Sequence, residues 1–199
     1  MKIYDITQQI PDCEIYPGDP RPKVEKLSSM EVGDLYNLTK FSMCAHNGTH
    51  VDAPCHFFSG GKSVESIPLS KVIGIAYVAE CHGKIDSEKV RNIGNKLRRV
   101  SGETILKLLI KGDGIVTGDG AKELTRMGIE LIGSETQSVG DENAPMEVHK
   151  ILLEKDVALL EGVRLKDVPE GRYFLCAAPL PITGADGAPC RALLIDFTE

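Results

Sequence analysis

Apolar and polar positions along the chain fall mostly into short runs with the period of a β-strand, interrupted by two stretches of helical period. Lys2 to Ile6 predicts a first strand, and residues 22–30 and 36–44 predict two more. The second of these alternates Leu38, Lys40 and Ser42 against Thr39, Phe41 and Met43. The β-branched run from Ser70 to Cys81 predicts a segment ending in a buried strand. Further strands are expected over Thr104 to Lys111, Ile129 to Ile132, Val157 to Leu160, Arg172 to Ala178 and Ala192 to Phe197. A short helix is expected from about Ala121 to Met127, and another from Pro145 to about Lys155. In the latter, Pro145 suits the first turn, Val148, Ile151 and Leu152 share a face, and His149 lies on its flank. Strands outnumber helices in a mixed order, so the expected fold class is α/β, a single domain over residues 1–199 with a mixed β-sheet.

The intervening segments are rich in turn formers. Tyr16-Pro17-Gly18-Asp19-Pro20 predicts a rigid loop from which Tyr16 can offer an aromatic face to a substrate. The glycines between 112 and 120 match neither phosphate-binding glycine pattern and read as turns. Residues 183–189, TGADGAP, read as a loop, and His82 reads as a solvated side chain. Lys89 to Val100 is basic but has no aromatic residue, which favours a solvated face over nucleic-acid binding.

The segment His46 to Phe58, HNGTHVDAPCHFF, changes the picture, because His46, His50, Asp52 and His56 fall within eleven residues and hold three of the five histidines. Imidazole nitrogen and carboxylate oxygen are the ligand types of zinc, manganese and iron, and they are donors near pH 7 without special tuning. Gly48, the β-branched Thr49 and Val51, and Pro54 oppose a helix here, so extended chain is expected, with the even-numbered positions facing one way. A metal held by His46, His50 and Asp52 gains from one more nitrogen and one more carboxylate. His149 and Glu161, on a predicted helix and at the end of the strand that follows it, are positioned to supply both.

The net charge of −6 opposes nucleic acid or an anionic membrane as main partner, and no apolar run approaches a membrane span. The start, MKIYDITQQIPD, has no leader-like pattern, and a cytoplasmic location is expected. Six cysteines, at 13, 44, 55, 81, 176 and 190, form no C-x-x-C pair and read as reduced, mostly buried thiols. Cys55 lies between Pro54 and His56, within reach of a metal, but is read as inert.

HNGTHVDAPCHF resembles the signature of the metal-dependent cyclase family, which includes kynurenine formamidases and isatin hydrolases. YPGDP near the start, IGSETQSVG at 132–140, VHKILL at 148–153, LLEG at 159–162 and PLPITGADGAPCRALLI at 179–195 extend the resemblance over most of the chain. The resemblance implies a swivelling β/β/α-type fold and assembly into a homodimer or higher homo-oligomer. It implies His46, His50, Asp52, His149 and Glu161 as metal ligands and His56 as the catalytic histidine. It also implies one or two divalent ions, zinc in first place and manganese in second, acting on a small-molecule substrate. The expected reaction is hydrolysis of an amide, formamide, lactam or lactone by metal-activated water. The chain departs from the family where it lacks the Thr-Gly-Trp stretch before Gly112, carries Gly140 where many members have Asp, and contains no Trp. Two other readings suit the same residues: a non-haem iron oxygenase using His50, Asp52 and His149, and a non-catalytic metal module.

Overall fold

The computed structural model describes residues 1–101, 105–141 and 144–197. The first strands are β1 (Lys2–Asp5), β2 (Lys23–Ser28), β3 (Leu38–Ser42) and β4 (His50–Asp52). A single helical turn, α1 (Leu69–Val72), leads into β5 (Ile73–Glu80), followed by β6 (Lys84–Ile85) and the long helix α2 (Ser87–Ser101). Next come β7 (Lys107–Lys111), β8 (Ile115–Val116), α3 (Gly118–Arg126) and β9 (Leu131–Ser134). The chain closes with α4 (Pro145–Glu154), β10 (Ala158–Glu161), β11 (Gly171–Cys176), β12 (Gly187–Pro189) and β13 (Leu193–Asp196).

Nine strands form one mixed sheet in the order β1, β13, β11, β5, β7, β9, β10, β4, β12. Its centre, β5, β7, β9 and β10, is parallel, and antiparallel strands extend it on both sides. A parallel centre is covered on both faces, which is why Leu108, Leu109 and Ile110 of β7 are consecutive and all fully buried. One face packs against α2, α3 and α4 through Val90, Ile93, Leu97, Leu124, Val148 and Leu152. The other face curls on itself. Its core joins Leu175 and Leu194 from one end of the sheet to Val51 and Leu160 from the other. The chain just after β1 seals this curl, with Ile6 N–H donating to Ala192 O at 3.0 Å and Gln8 N–H donating to Thr49 Oγ1 at 2.9 Å. The architecture is the expected α/β class with a large curled mixed sheet.

Several elements differ from expectation. The basic stretch after His82 is the helix α2, in which Val90, Ile93 and Leu97 form a buried stripe beneath an exposed basic face, and Asp86 Oδ1 accepts from Lys89 N–H. Arg91, Lys96 and Arg98 are solvated as expected, but the stripe at spacings of three and four was the helix signal. α3 starts at Gly118, earlier than expected, because Thr117 caps it by accepting from Gly120 N–H. Part of TGADGAP is strand β12. The expected start of a strand at Thr104 lies outside the described residues. β2 and β3 form a hairpin that joins no strand of the main sheet. Among the described residues no helix is long and apolar enough to cross a membrane.

Candidate metal centre

β4 supplies two of the site's side chains. Along a strand successive side chains alternate, so Val51 enters the curled core while His50 and Asp52 face the other way, all three buried. β10 runs antiparallel beside it with Glu161 directly opposite His50, which puts Glu161 on the same face. β12 flanks β4 on its other side, with Gly187 opposite Asp52. A Cβ at Gly187 would lie 2.8 Å from His46 Cε1 and 3.0 Å from Val51 O, so glycine is what lets the His46 ring lie across this strand. α4 contributes His149 from its core-facing side, 3% exposed.

The extended chain expected through the whole motif is confined to His50–Asp52. His46 sits in a turn that Gly48 makes with φ of 65°, and His56 ends a 3₁₀ turn, Pro54–His56. Gly48 and Pro54 therefore fold the two ends of the motif together, and the rings of His46 and His56 stack with centroids 4.0 Å apart.

His46, His50, Asp52, His149 and Glu161 all converge. His46 Nδ1 is 2.8 Å from Asp52 Oδ1, and His50 Nε2 lies 3.2 Å from the same oxygen and 3.5 Å from Glu161 Oε2. His149 Nε2 lies 3.2 Å from Glu161 Oε1 and 3.6 Å from Asp52 Oδ2. Two overlapping sets, His46/His50/Asp52 and Asp52/His149/Glu161, each have ligand atoms within 4.8 Å of one another and share Asp52, and a third, more exposed set, His46/His56/Asp186, meets the first at His46.

These residues fit a divalent cation. His50 Nδ1 faces the Gly48 carbonyl at 2.9 Å, and because that oxygen only accepts, Nδ1 carries the hydrogen and Nε2 is turned inward. Yet His50 Nε2 and Asp52 Oδ2, both buried, have no aligned hydrogen-bond partner. Two buried lone-pair atoms facing one point without a partner are costly unless a cation satisfies both. Val139 N–H donates to Glu161 Oε1 at 2.7 Å and fixes that carboxylate.

The electrostatics agree. Burial opposes the charge on His50, but Asp52 and Glu161 outweigh it and hold its pKa up to about 10 in the metal-free protein. Burial likewise opposes the charge on Asp52, and His46 and His50 hold it well below the usual carboxylate range. Burial and the neighbouring Asp52 push Glu161 up, and His149 and His50 more than reverse this. His56 behaves differently: burial dominates and lowers its pKa, which keeps the imidazole neutral near pH 7.

The site opens into a cleft of about 530 Å³ whose lining includes Tyr16, Phe57, Gln137, Ser138 and Asp186. A space of that size suits a small organic molecule. Tyr16 is thus beside the site, as its loop suggested. Phe57 lies between His56 and His149, with ring centroids at 4.4 and 4.8 Å. Cys55 points away, its thiol directed to Ala185 O at 3.5 Å. Cys55→Ser is therefore expected to retain its full metal content in elemental analysis, and stoichiometric loss would return the thiol to the coordination sphere.

Asp186 is the residue that sequence reasoning passed over. Its Oδ2 accepts from His46 Nε2 at 2.9 Å and lies 3.4 Å from His56 Nδ1. It hid in a turn-like composition, and the available signal was an acidic residue between small ones in a segment that already resembled the family.

Residues 4–141 match the family model Cyclase. The chain belongs to this family. It is 34% identical to a kynurenine formamidase of Erythrobacter litoralis over all of this chain and 95% of that protein. A solved structure described as a potential metal-dependent hydrolase with cyclase activity is 31% identical, covers 97% of this chain and 96% of its own, and superposes with a TM-score of 0.80. Isatin hydrolase A from Labrenzia aggregata, 23% identical with a TM-score of 0.83 over 97% of this chain and 93% of its own, shares the fold. The chain is accordingly a metal-dependent hydrolase of the cyclase family, and membership disfavours the iron-oxygenase reading.

Proposed function

We propose that the chain hydrolyses a formamide or cyclic amide of a small aromatic molecule, with His46, His50, Asp52, His149 and Glu161 holding zinc, or manganese in its place. The observation that carries this is the inward-turned, unpartnered His50 Nε2 between two buried carboxylates, beside a neutral His56 at the head of a small-molecule cleft. The two overlapping ligand sets, which share Asp52, suit one ion or two. The chemistry supplied by such an ion when bound is Lewis acidity, which lowers the pKa of water from about 15.7 towards about 7 and stabilises charge on a carbonyl oxygen.

The chain's own groups do the rest. Asp52 and Glu161 offset the cation's charge, and Gly48 O and Val139 N–H hold His50 and Glu161 in place. His56, neutral near pH 7, takes a proton from the attacking water and returns it to the leaving nitrogen. Phe57 and Tyr16 give the cleft aromatic surface for a flat substrate. The substrate class follows the relative named as a kynurenine formamidase, and the isatin hydrolase neighbour adds the cyclic amide. A panel of formanilide, isatin and simple lactones, assayed after chelation and after zinc or manganese is restored, tests this. Metal-dependent turnover of an aryl formamide or isatin is expected. A protein inert towards all of them, or one unaffected by chelation, would sink the proposal.

The active form is a homo-oligomer joined through the β2–β3 hairpin to a second copy. That hairpin exposes Val32 and Leu35, 82% and 93% exposed, together with Leu27, Met30, Tyr36 and Phe41. Such a surface on an unsupported two-stranded sheet is one that association buries. Its charges balance, Lys23, Lys26 and Lys40 against Glu25, Glu31 and Asp34, which suits a copy of itself over a strongly charged partner. Light scattering should find a dimer or larger species, and Leu35→Lys combined with Phe41→Lys should shift it to monomer. A monodisperse wild-type monomer at micromolar concentration would end the idea. Six free cysteines support a reducing, cytoplasmic setting.

A further inference from the structure

We infer that Asp186 is the positioning residue of His56, holding its Nδ1–H so that Nε2 faces the cleft as the proton acceptor. This rests on the reading of His56 as the proton carrier.

The backbone around Asp186 is tied to the His motif and to the segment that follows it. Ala53 N–H donates to Asp186 O at 2.9 Å, and Val64 N–H donates to Ala185 O at 2.9 Å. Gly187 then enters β12 opposite Asp52. The Asp186 side chain lines the cleft, and its Oδ2 faces two stacked imidazoles at once, His46 Nε2 at 2.9 Å and His56 Nδ1 at 3.4 Å. The second distance is an ion-pair separation without hydrogen-bond alignment, and such contacts commonly tighten when a site fills. Among the described residues Asp186 is the carboxylate within 4.0 Å of a His56 ring nitrogen. Three rings also surround His56: His46 stacked upon it, Phe57 edge-on, and His149 with its centroid 6.3 Å away, while the buried Asp52 carboxylate acts on it from farther off.

An imidazole that is to accept a proton on one nitrogen must carry hydrogen on the other. A carboxylate beside Nδ1 selects that tautomer and stabilises the imidazolium once it forms, without itself taking the proton. In the step, a water O–H bond breaks as its oxygen bonds to the carbonyl carbon, and His56 Nε2 takes the proton. The C–N bond then breaks, and the same proton passes to the departing nitrogen, leaving an acid and an amine. Asp186 is unchanged throughout. Its bond to His46 serves the metal site as well, and the experiment has to separate the two duties.

A double-mutant cycle on the metal-loaded protein does so, with formanilide as the probe and Asp186→Asn, His56→Ala and their combination as variants. Assayed with metal in excess, Asp186→Asn should lower kcat by about 10- to 100-fold, the usual size for a group supporting a functional histidine, with KM unchanged and the metal site still filled. In the His56→Ala background the same change should cost nothing further, because the group through which it acts is gone. Nitrogen-15 NMR of the imidazoles should find His56 protonated at Nδ1 in the parent and shifted towards the other tautomer in Asp186→Asn. Equal losses in both backgrounds, or loss of metal in Asp186→Asn, would overturn the inference and assign Asp186 to His46 alone. Parental turnover in the His56→Ala single variant would overturn the reading of His56 itself, and that result is read separately from the cycle.

Discussion

His50→Ala should strip the protein of its metal and cut kcat/KM by about 10³-fold or more, the scale on which several kcal/mol of transition-state charge stabilisation is lost. His50 is the most constrained donor in the centre. It is 1% exposed, with Nδ1 committed to Gly48 O and Nε2 set between Asp52 and Glu161. β4 and β10 hold it directly opposite Glu161. The metal-free variant should also lose stability. Without the ion and the imidazole, Asp52 and Glu161 are left as uncompensated buried carboxylates, and breaking a buried pair costs on the order of 3–5 kcal/mol. Elemental analysis after dialysis, steady-state rates and denaturant titration read the three effects. A variant that keeps a full equivalent of metal and its activity would show that the ion is held elsewhere.

His56→Ala is expected to separate what His50→Ala loses together. Metal content should stay at the parental value, since the two buried ligand sets that share Asp52 are complete without His56, which belongs to the more exposed set with His46 and Asp186 at the mouth of the centre. Turnover should fall by about 10²- to 10⁴-fold, the contribution of a positioned acid or base. The fall should depend on the leaving group. An anilide with a strongly electron-withdrawing ring departs without much protonation, so 4-nitroformanilide should suffer less than formanilide. Uniform loss across the series would argue that His56 orients substrate and carries no proton. Loss of metal would make it a ligand.

Much of the centre was legible in the chain because its donors lie close together in sequence. His46, His50, Asp52 and His56 share a segment whose residue types already exclude a helix, and local chemistry there needs little tertiary context. His149 and Glu161 were legible by a weaker route, as a nitrogen and a carboxylate on adjacent elements that a metal could use. Asp186 was not, because its role depends on β12 pairing with β4 across more than a hundred residues of chain, and a three-residue strand inside TGADGAP has the composition of a turn. The helix α2 was obscured for a different reason: its many charges drew attention to the solvent side, although Val90, Ile93 and Leu97 carried the buried face.

By itself the sequence determined the chemical character of the site, the mixed α/β class and the family pattern, since residue type, alternation and turn chemistry are local properties. Only the tertiary structure decided which donors meet at one point. Register places Glu161 opposite His50, Gly48 and Pro54 fold His46 onto His56, and α4 brings His149 against Asp52 and Glu161. The physical reason is that each short strand is compatible with several partners when read alone. The partner it takes is chosen by which faces must be buried together, a property of the assembled sheet and its helices.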